Sequence, residues 1–469
     1  MKKSILIIVS IWTFLFINAQ NPVKKFVESD LLKNANVSLM VKDLAKDSVL
    51  YEFRSNFPTI PASTMKTVTT STALELLGGD YKFKTTLEYD GELTENGVLY
   101  GNLYICGNGD PTLGSSKLGD ELFLHKWIEE IKLAGIKKIH GNIIADNSRY
   151  DDKGINQHWQ WEDLGNYYGA GAYGISYKDN TYTIQINTKE KGTEAEIVKI
   201  SPDISDINFV NELKITNIKS DSVYIFGAPR SNERLLCGEL PANKSNILVE
   251  GDIPQPGKLL ANDLKKELIN NKIRVRGDVY EIFEKTCTPR NVIYTHFSPE
   301  LREIVKAINV PSNNHYAEHL FRHLSLKNDS VASTDEAINV IKNYWKQKSL
   351  PIDQLFMMDG SGLSPVNAVS AKFLVELLTY MNKSKNNTDF RNSLPIAGLT
   401  GTAKILLDKT RLEGKVRAKS GTISRVRCYT GYLDDGNKKW AFAILVNNPN
   451  GKAKDVTDKI EEFLLEITQ

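Results

Sequence analysis

Ser63-Thr64-Met65-Lys66 sets a hydroxyl and an amine three residues apart. On a helix these positions share a face, so the two side chains can meet. A serine needs a base to take its proton, and a desolvated lysine can be that base. The free N–H groups and positive dipole end of a first helical turn favour the negative charge that would develop there. A single S-x-x-K is common by chance, and a helix-start serine beside a solvated lysine explains it as well. Two further stretches carry matching chemistry. Ser312-Asn313-Asn314 offers a hydroxyl and carboxamides, and Lys419-Ser420-Gly421-Thr422 offers a second amine beside a hydroxyl. In this order the three stretches offer a serine nucleophile, a candidate base and further proton-handling and amide-holding groups, which is the inventory that nucleophilic catalysis needs.

The surrounding pattern supplies an element for each. Pro61 opens a helical stretch that closes at Gly78-Gly79, with proline near the first turn and glycine past the end. Ser312-Asn313-Asn314 is the polar lead-in to an apolar helix, and Lys419-Ser420-Gly421-Thr422 opens a strand ahead of Val426–Leu433. Val37 to Leu44 and Val49 to Phe53 read as a hairpin. From Phe83 to Ile253 the pattern is mostly alternating strands, followed by a helix over Leu259–Ile269 and a strand near Ile273–Ile282. Beyond Pro299 the helices lengthen. Ser333-Thr334-Asp335-Glu336 is a capping box, and Ala371–Met381 carries an apolar face. In the last helix Val456, Ile460, Phe463, Leu464 and Ile467 form one stripe that should pack on a sheet.

Composition sets the class. The chain has 469 residues, 41% hydrophobic, with 59 Lys+Arg against 57 Asp+Glu. The hydrophobic share supports packed cores, and a net charge of +2 argues against a dedicated nucleic-acid binder. Met1-Lys2-Lys3, the apolar run from Ile5 to Ile17 and Asn18-Ala19 read as a cleavable secretory signal over residues 1–19. Export permits disulfides, but Cys106, Cys237, Cys287 and Cys428 leave all three complete pairings open.

Two motifs compete. His315-Tyr316-Ala317-Glu318-His319 matches H-x-x-E-H, yet its helix already follows Ser312-Asn313-Asn314, so no metal is assigned to it. Gly169 to Gly174 matches G-x-G-x-x-G, but a strand over Ile175–Ile184 follows where a dinucleotide site needs a helix. No cofactor is called for. There is no G-x-S-x-G elbow and no Walker A sequence.

Taken together, the chain resembles penicillin-binding proteins of the D-Ala-D-Ala carboxypeptidase/endopeptidase type, the low-molecular-mass class C group. Besides the trio, Gly109-Asp110-Pro111-Thr112-Leu113, Asp359-Gly360-Ser361-Gly362-Leu363-Ser364, Leu394-Pro395-Ile396-Ala397-Gly398 and Gly401-Thr402 look like that group's motifs. The long stretch between Lys66 and Ser312 also resembles this group, which carries extra domains there. Asn313 stands where Asp is frequent and Ser420 where Thr is frequent. The resemblance implies an α/β (α+β) fold, an antiparallel sheet flanked by helices. The catalytic domain would be split over residues 20–82 and 291–469, with 83–290 inserted as one or two β-rich subdomains.

It also implies roles. Ser63 would be the nucleophile and Lys66 its base. Ser312 with Lys419 would relay a proton, Asn314 would hold the substrate amide, and Ser420 would bind the terminal carboxylate. The N–H groups of Ser63 and Thr422 would form the oxyanion hole. Asp163 and Tyr168 would meet the third residue of a peptidoglycan stem peptide: Asp163 its amino group, Tyr168 as an apolar wall. Pro365 stands where diaminopimelate-specific relatives often carry arginine, so the carboxylate end of that side chain would be read differently or not at all. The resemblance implies a periplasmic serine DD-peptidase, with endopeptidase activity as an accompanying reading, that β-lactam antibiotics would acylate. A serine β-lactamase or esterase of the same fold is the alternative, and a non-catalytic peptidoglycan-binding scaffold is a second.

Overall fold

The computed structural model describes residues 21–204, 206–326 and 330–469. The signal segment read at 1–19 lies outside them. No helix among the described residues is long and apolar enough to cross a membrane.

A five-stranded antiparallel sheet organises both ends of the chain. Its order is Ser48–Phe53, Asn36–Asp43, Lys439–Asn447, Val426–Asp434 and Val416–Ile423. The strand Lys439–Asn447 is buried on both faces, so it reads as a continuous apolar run. Ala441, Ala443 and Leu445 face one core, while Phe442, Ile444 and Val446 face the other. The first core is built from the helices Lys66–Leu77, Leu301–Asn309, Asn314–His323, Thr334–Gln347 and Ala371–Lys383. The second lies under Pro22–Val27 and Ala453–Ile467, whose stripe from Val456 to Ile467 is buried against the sheet. Helices therefore flank an antiparallel sheet on both sides.

The middle of the chain has its own core. One five-stranded sheet there runs Val279–Ile282, Ile143–Asp146, Leu103–Gly107, Lys84–Tyr89 and Asn291–Phe297, with parallel and antiparallel pairs. The helix Pro256–Asn270 packs on it. The strand-dominated reading of this region missed the helix Phe123–Leu133, whose signal was present: Phe123, Trp127, Ile128 and Ile131 are buried at helical spacing. The strand expected from Ile175 begins at Thr181 instead. Lys178, Asp179 and Asn180 all adopt positive φ and break the extended chain just before it. Phe83 and Ser298 tie the two crossings between cores, Phe83 N–H donating to Ser298 Oγ at 2.9 Å and Ser298 N–H to Phe83 O at 3.1 Å.

Candidate active site

Ser63 lies in a tight turn rather than in an α-helix that starts at Pro61. Ala62–Met65 is a 3₁₀ turn, and the α-helix runs from Lys66 to Leu77. The difference arises at Ala62, whose φ of 45° leaves the helical region. Thr64 closes the turn by donating its N–H and hydroxyl to Pro61 O, at 3.3 and 2.8 Å. The turn is held from two sides. A Cβ on Gly421 would come within 2.4 Å of Pro61 O, and one on Gly362 would come within 1.9 Å of Ala62 O. Gly362 also has φ +78°, so glycine is required there on both counts.

One helical turn later, Lys66 points back at the serine. Its Nζ is 3.1 Å from Ser63 Oγ, 2.6 Å from Asn314 Oδ1 and 2.7 Å from Ser361 O. Among the described residues no carboxylate pairs with it. Burial therefore pulls the amine down to about 7, against the opposing pull of Asp359 and Glu318. A neutral amine has two hydrogens, which Asn314 and Ser361 can accept, leaving its lone pair facing the Ser63 hydroxyl. That is the geometry of a general base.

The opposite wall is the edge strand Val416–Ile423. Lys419 Nζ donates to Ser312 Oγ at 3.0 Å and to Ser420 O at 2.8 Å. Burial pulls this amine well below its usual range, with the charges of Lys66 and Arg427 adding to the effect. Ser312 adopts φ +65° in the loop between two helices, a conformation stored where the fold over-determines it. Ser420 Oγ donates to Thr402 Oγ1 at 2.7 Å. Ala418 N–H leaves the sheet for Pro395 O at 2.9 Å. Alternate residues of a strand face the same way, so the N–H groups of Ser420 and Thr422 also point off the free edge. Arg427 donates to the Thr422 hydroxyl and lies over the Tyr429 ring.

The middle region reaches into this cleft with residues 156–168. Asn156 Nδ2 donates to Met358 O at 2.5 Å and Trp159 Nε1 to Asp359 Oδ2 at 3.0 Å. Asn314 Nδ2 donates to Tyr168 O at 3.0 Å, so one carboxamide bridges Lys66 and this arm. Tyr168 thus meets the Ser63 cluster through its backbone. Asp163 sits in the short turn Trp161–Asp163, capped by Gln160 N–H at 3.2 Å. Burial raises its carboxyl to about 6, with Glu162 and Asp359 adding to the shift.

Ser63, Lys66 and Asn314 thereby form one bonded set and Ser312, Lys419 and Ser420 a second, with Thr422 on the same edge strand as Lys419 and Asp163 on the arm. Sequence reasoning missed the Ser361 carbonyl, the Thr402 hydroxyl, Glu318 and Arg427. Thr402 and Ser361 lay in motifs already noted, but their partners are set by the fold. Asn313, where Asp is frequent, caps its helix by accepting Tyr316 N–H at 3.1 Å, a task both residues perform. In the H-x-x-E-H motif, Glu318 is turned to the backbone N–H groups of Gly360 and Ser361, at 3.1 and 2.7 Å. His315 and His319 are held neutral, burial taking His315 to about 3 and His319 well below its usual value. Among the described residues no group of three or more His, Cys, Asp or Glu side chains could hold a metal ion. The four cysteines are free thiols.

Comparison with known proteins gives the same picture. The chain is 26% identical over 448 residues to a D-alanyl-D-alanine carboxypeptidase of Actinomadura sp. (strain R39), covering 92% of this chain and 81% of that one. It is 25% identical over 460 residues to D-alanyl-D-alanine carboxypeptidase DacB of Haemophilus influenzae, covering 93% and 90%. The crystal structure of penicillin binding protein 4 (dacB) from H. influenzae superposes with a TM-score of 0.83 at 22% identity, covering 96% of this chain and 100% of that one. The same protein complexed with a novel β-lactam superposes at 0.79, with 21% identity and coverage of 96% and 99%. The family model for D-Ala-D-Ala carboxypeptidase 3 (S13) matches residues 19–467. The chain belongs to the D-Ala-D-Ala carboxypeptidase 3 (S13) family.

Proposed function

We propose that this peptidase removes the terminal D-Ala of peptidoglycan stem peptides through an ester on Ser63. The observation that carries the reading is the Lys66 amine, desolvated, paired with no acid among the described residues and 3.1 Å from Ser63 Oγ. Ser63 Oγ attacks the carbonyl carbon of the penultimate D-Ala, and Lys66 takes the hydroxyl proton. The N–H groups of Ser63 and Thr422 stabilise the oxyanion, where one such donor is worth about 3 kcal/mol. As the C–N bond breaks, the proton that Lys66 took is returned by way of the Ser312 hydroxyl to the departing D-Ala amine, and Lys419 orients that hydroxyl by donating to Ser312 Oγ. Water then hydrolyses the ester and frees Ser63.

Electrostatics favour a substrate ending in a carboxylate. Arg427 sets a buried guanidinium behind Thr422 on this strand, and Ser420 with Thr402 presents hydroxyls beside it. A substrate carboxylate, or that of a β-lactam, supplies the missing negative charge. Asp163 reads the amino group of the third stem residue, with Tyr168 walling its apolar stem. Pro365 offers no partner for a second carboxylate there, so peptides with lysine and diaminopimelate are both turned over. Endopeptidase action on cross-links uses the same ester chemistry.

The catalytic unit in this reading is split over residues 20–82 and 291–469 around the insertion 83–290. The Asn291–Phe297 strand, which pairs with Lys84–Tyr89, extends that insertion's sheet. Its site of action is the cell wall outside the cytoplasmic membrane. Intact-protein mass after brief exposure to benzylpenicillin tests the reading. A persistent one-drug adduct on the wild type but not on Ser63→Ala is the expected result. Drug hydrolysis without adduct would favour a β-lactamase, and neither adduct nor hydrolysis a scaffold.

A further inference from the structure

Glu318 has no part in the acyl-transfer steps above, yet it is a carboxyl buried to 3% exposure one helical turn beyond Asn314. Its Oε1 accepts the N–H groups of Gly360 and Ser361, at 3.1 and 2.7 Å. These hydrogen bonds orient the peptide unit whose next carbonyl, Ser361 O, accepts from Lys66 Nζ at 2.7 Å. Thr69 Oγ1 locks the same turn by donating to Gly360 O at 2.7 Å, and Gly360 packs too tightly on Phe321 for any Cβ. Both acceptors of the Lys66 amine are therefore set by one helix: Asn314 offers its own side chain, and Glu318 holds the Ser361 carbonyl.

Resting on the reading of Lys66 as the base for Ser63, we propose that Glu318 is a positioning residue, fixing the Ser361 carbonyl so that the Lys66 lone pair faces the Ser63 hydroxyl. The charged groups facing Glu318 across the packing are Asp359 and Lys66. On its own helix, Arg322 is turned away to Asp151 and Ala172 O, and His315 and His319 are neutral. Burial, with the Asp359 charge adding to it, raises the Glu318 carboxyl to about 8, while burial lowers Lys66 to about 7. The two groups titrate over neighbouring intervals, and an anionic Glu318 raises the Lys66 value. Glu318 thus sets the direction of the amine and biases its protonation.

The test is the second-order rate of Ser63 acylation by benzylpenicillin from pH 5 to 10 for wild type, Glu318→Gln and Glu318→Ala. Misplacing a reacting group by about 1 Å costs about 100-fold, which is the loss expected for Glu318→Ala. Glutamine keeps an acceptor for the two N–H groups but no charge. It should retain most of the rate, and its profile should lack the change that ionisation of Glu318 above about pH 8 brings to the wild type. Wild-type rates and profile in Glu318→Ala would overturn the proposal. If that variant does not fold, Glu318→Gln decides alone, and a wild-type profile above about pH 8 in that variant would reduce Glu318 to a packing role. A wild type that is not acylated at Ser63 would sink the reading of the site instead.

Discussion

Lys419 Nζ donates to Ser312 Oγ at 3.0 Å, joining a strand edge to a loop separated from it by most of a subdomain of sequence. The contact gives Ser312 a donor on the side facing the cleft and leaves its own hydroxyl hydrogen free to move. In the proposed reaction this is the route by which the departing amine receives its proton.

Lys419→Met should break that route while filling the same buried space. General acid assistance contributes about 10²–10⁴-fold, so D-Ala release from a pentapeptide should fall within that range. Stopped-flow or amino-acid release assays measure it directly. Turnover at the wild-type rate would remove Lys419 from the mechanism.

Lys66 sets a pH dependence of both rate and stability. The amine is lowered from 10.5 to about 7 by burial, so acylation should decline as pH falls below about 7 and the base becomes protonated. In stability the sign is the reverse of a salt-bridged lysine. The unfolded chain binds the extra proton between pH 7 and 10.5, so the penalty is full below 7 and is relieved as pH rises to 10.5. Urea unfolding of wild type and Lys66→Met across this window should show the gain in the wild type alone.

Asp163→Asn should weaken binding of peptides with a free amino group on the third residue. A hydrogen bond to a charged group is worth about 1.5–3 kcal/mol, or roughly 10–100-fold in KM. Peptides acetylated at that amine should be indifferent to the change, as should benzylpenicillin. Because the carboxyl is raised to about 6, the wild-type preference should fade below that pH. A strict requirement for the diaminopimelate carboxylate would refute the amino-group reading.

Gly362→Ala should damage the nucleophile turn from a distance in sequence. The new Cβ would sit 1.9 Å from Ala62 O at a φ of +78°. Overpacking of this kind costs about 1–3 kcal/mol, and the relief must come from the turn that carries Ser63. Thermal unfolding and acylation rate should both drop. Stability lost without loss of acylation would show that the turn tolerates the shift.

The motifs were legible because their chemistry demands side-chain types at short fixed spacing. Ser63 and Lys66 meet through local helix geometry, and the capping box at Ser333 and the final amphipathic stripe are equally local. Each could be read from a few neighbouring residues. The positive φ at Ala62 could not, since alanine has no preference for it and the turn is closed by Thr64 and packed against Gly362 and Gly421, both distant in sequence. The helix Phe123–Leu133 carried a readable period that was lost among surrounding strand patterns.

From the sequence alone came the candidate reacting groups and their order along the chain, and the resemblance those motifs carry implied the antiparallel sheet flanked by helices. Residue type and spacing encode the motifs locally. Only the tertiary structure decided what makes the groups work. Burial without a carboxylate partner brings Lys66 to about 7, the Ser361 carbonyl takes one of its hydrogens, and Asn314 ties it to an arm from the middle of the chain. These depend on desolvation and on contacts between residues far apart in sequence, which no local pattern records.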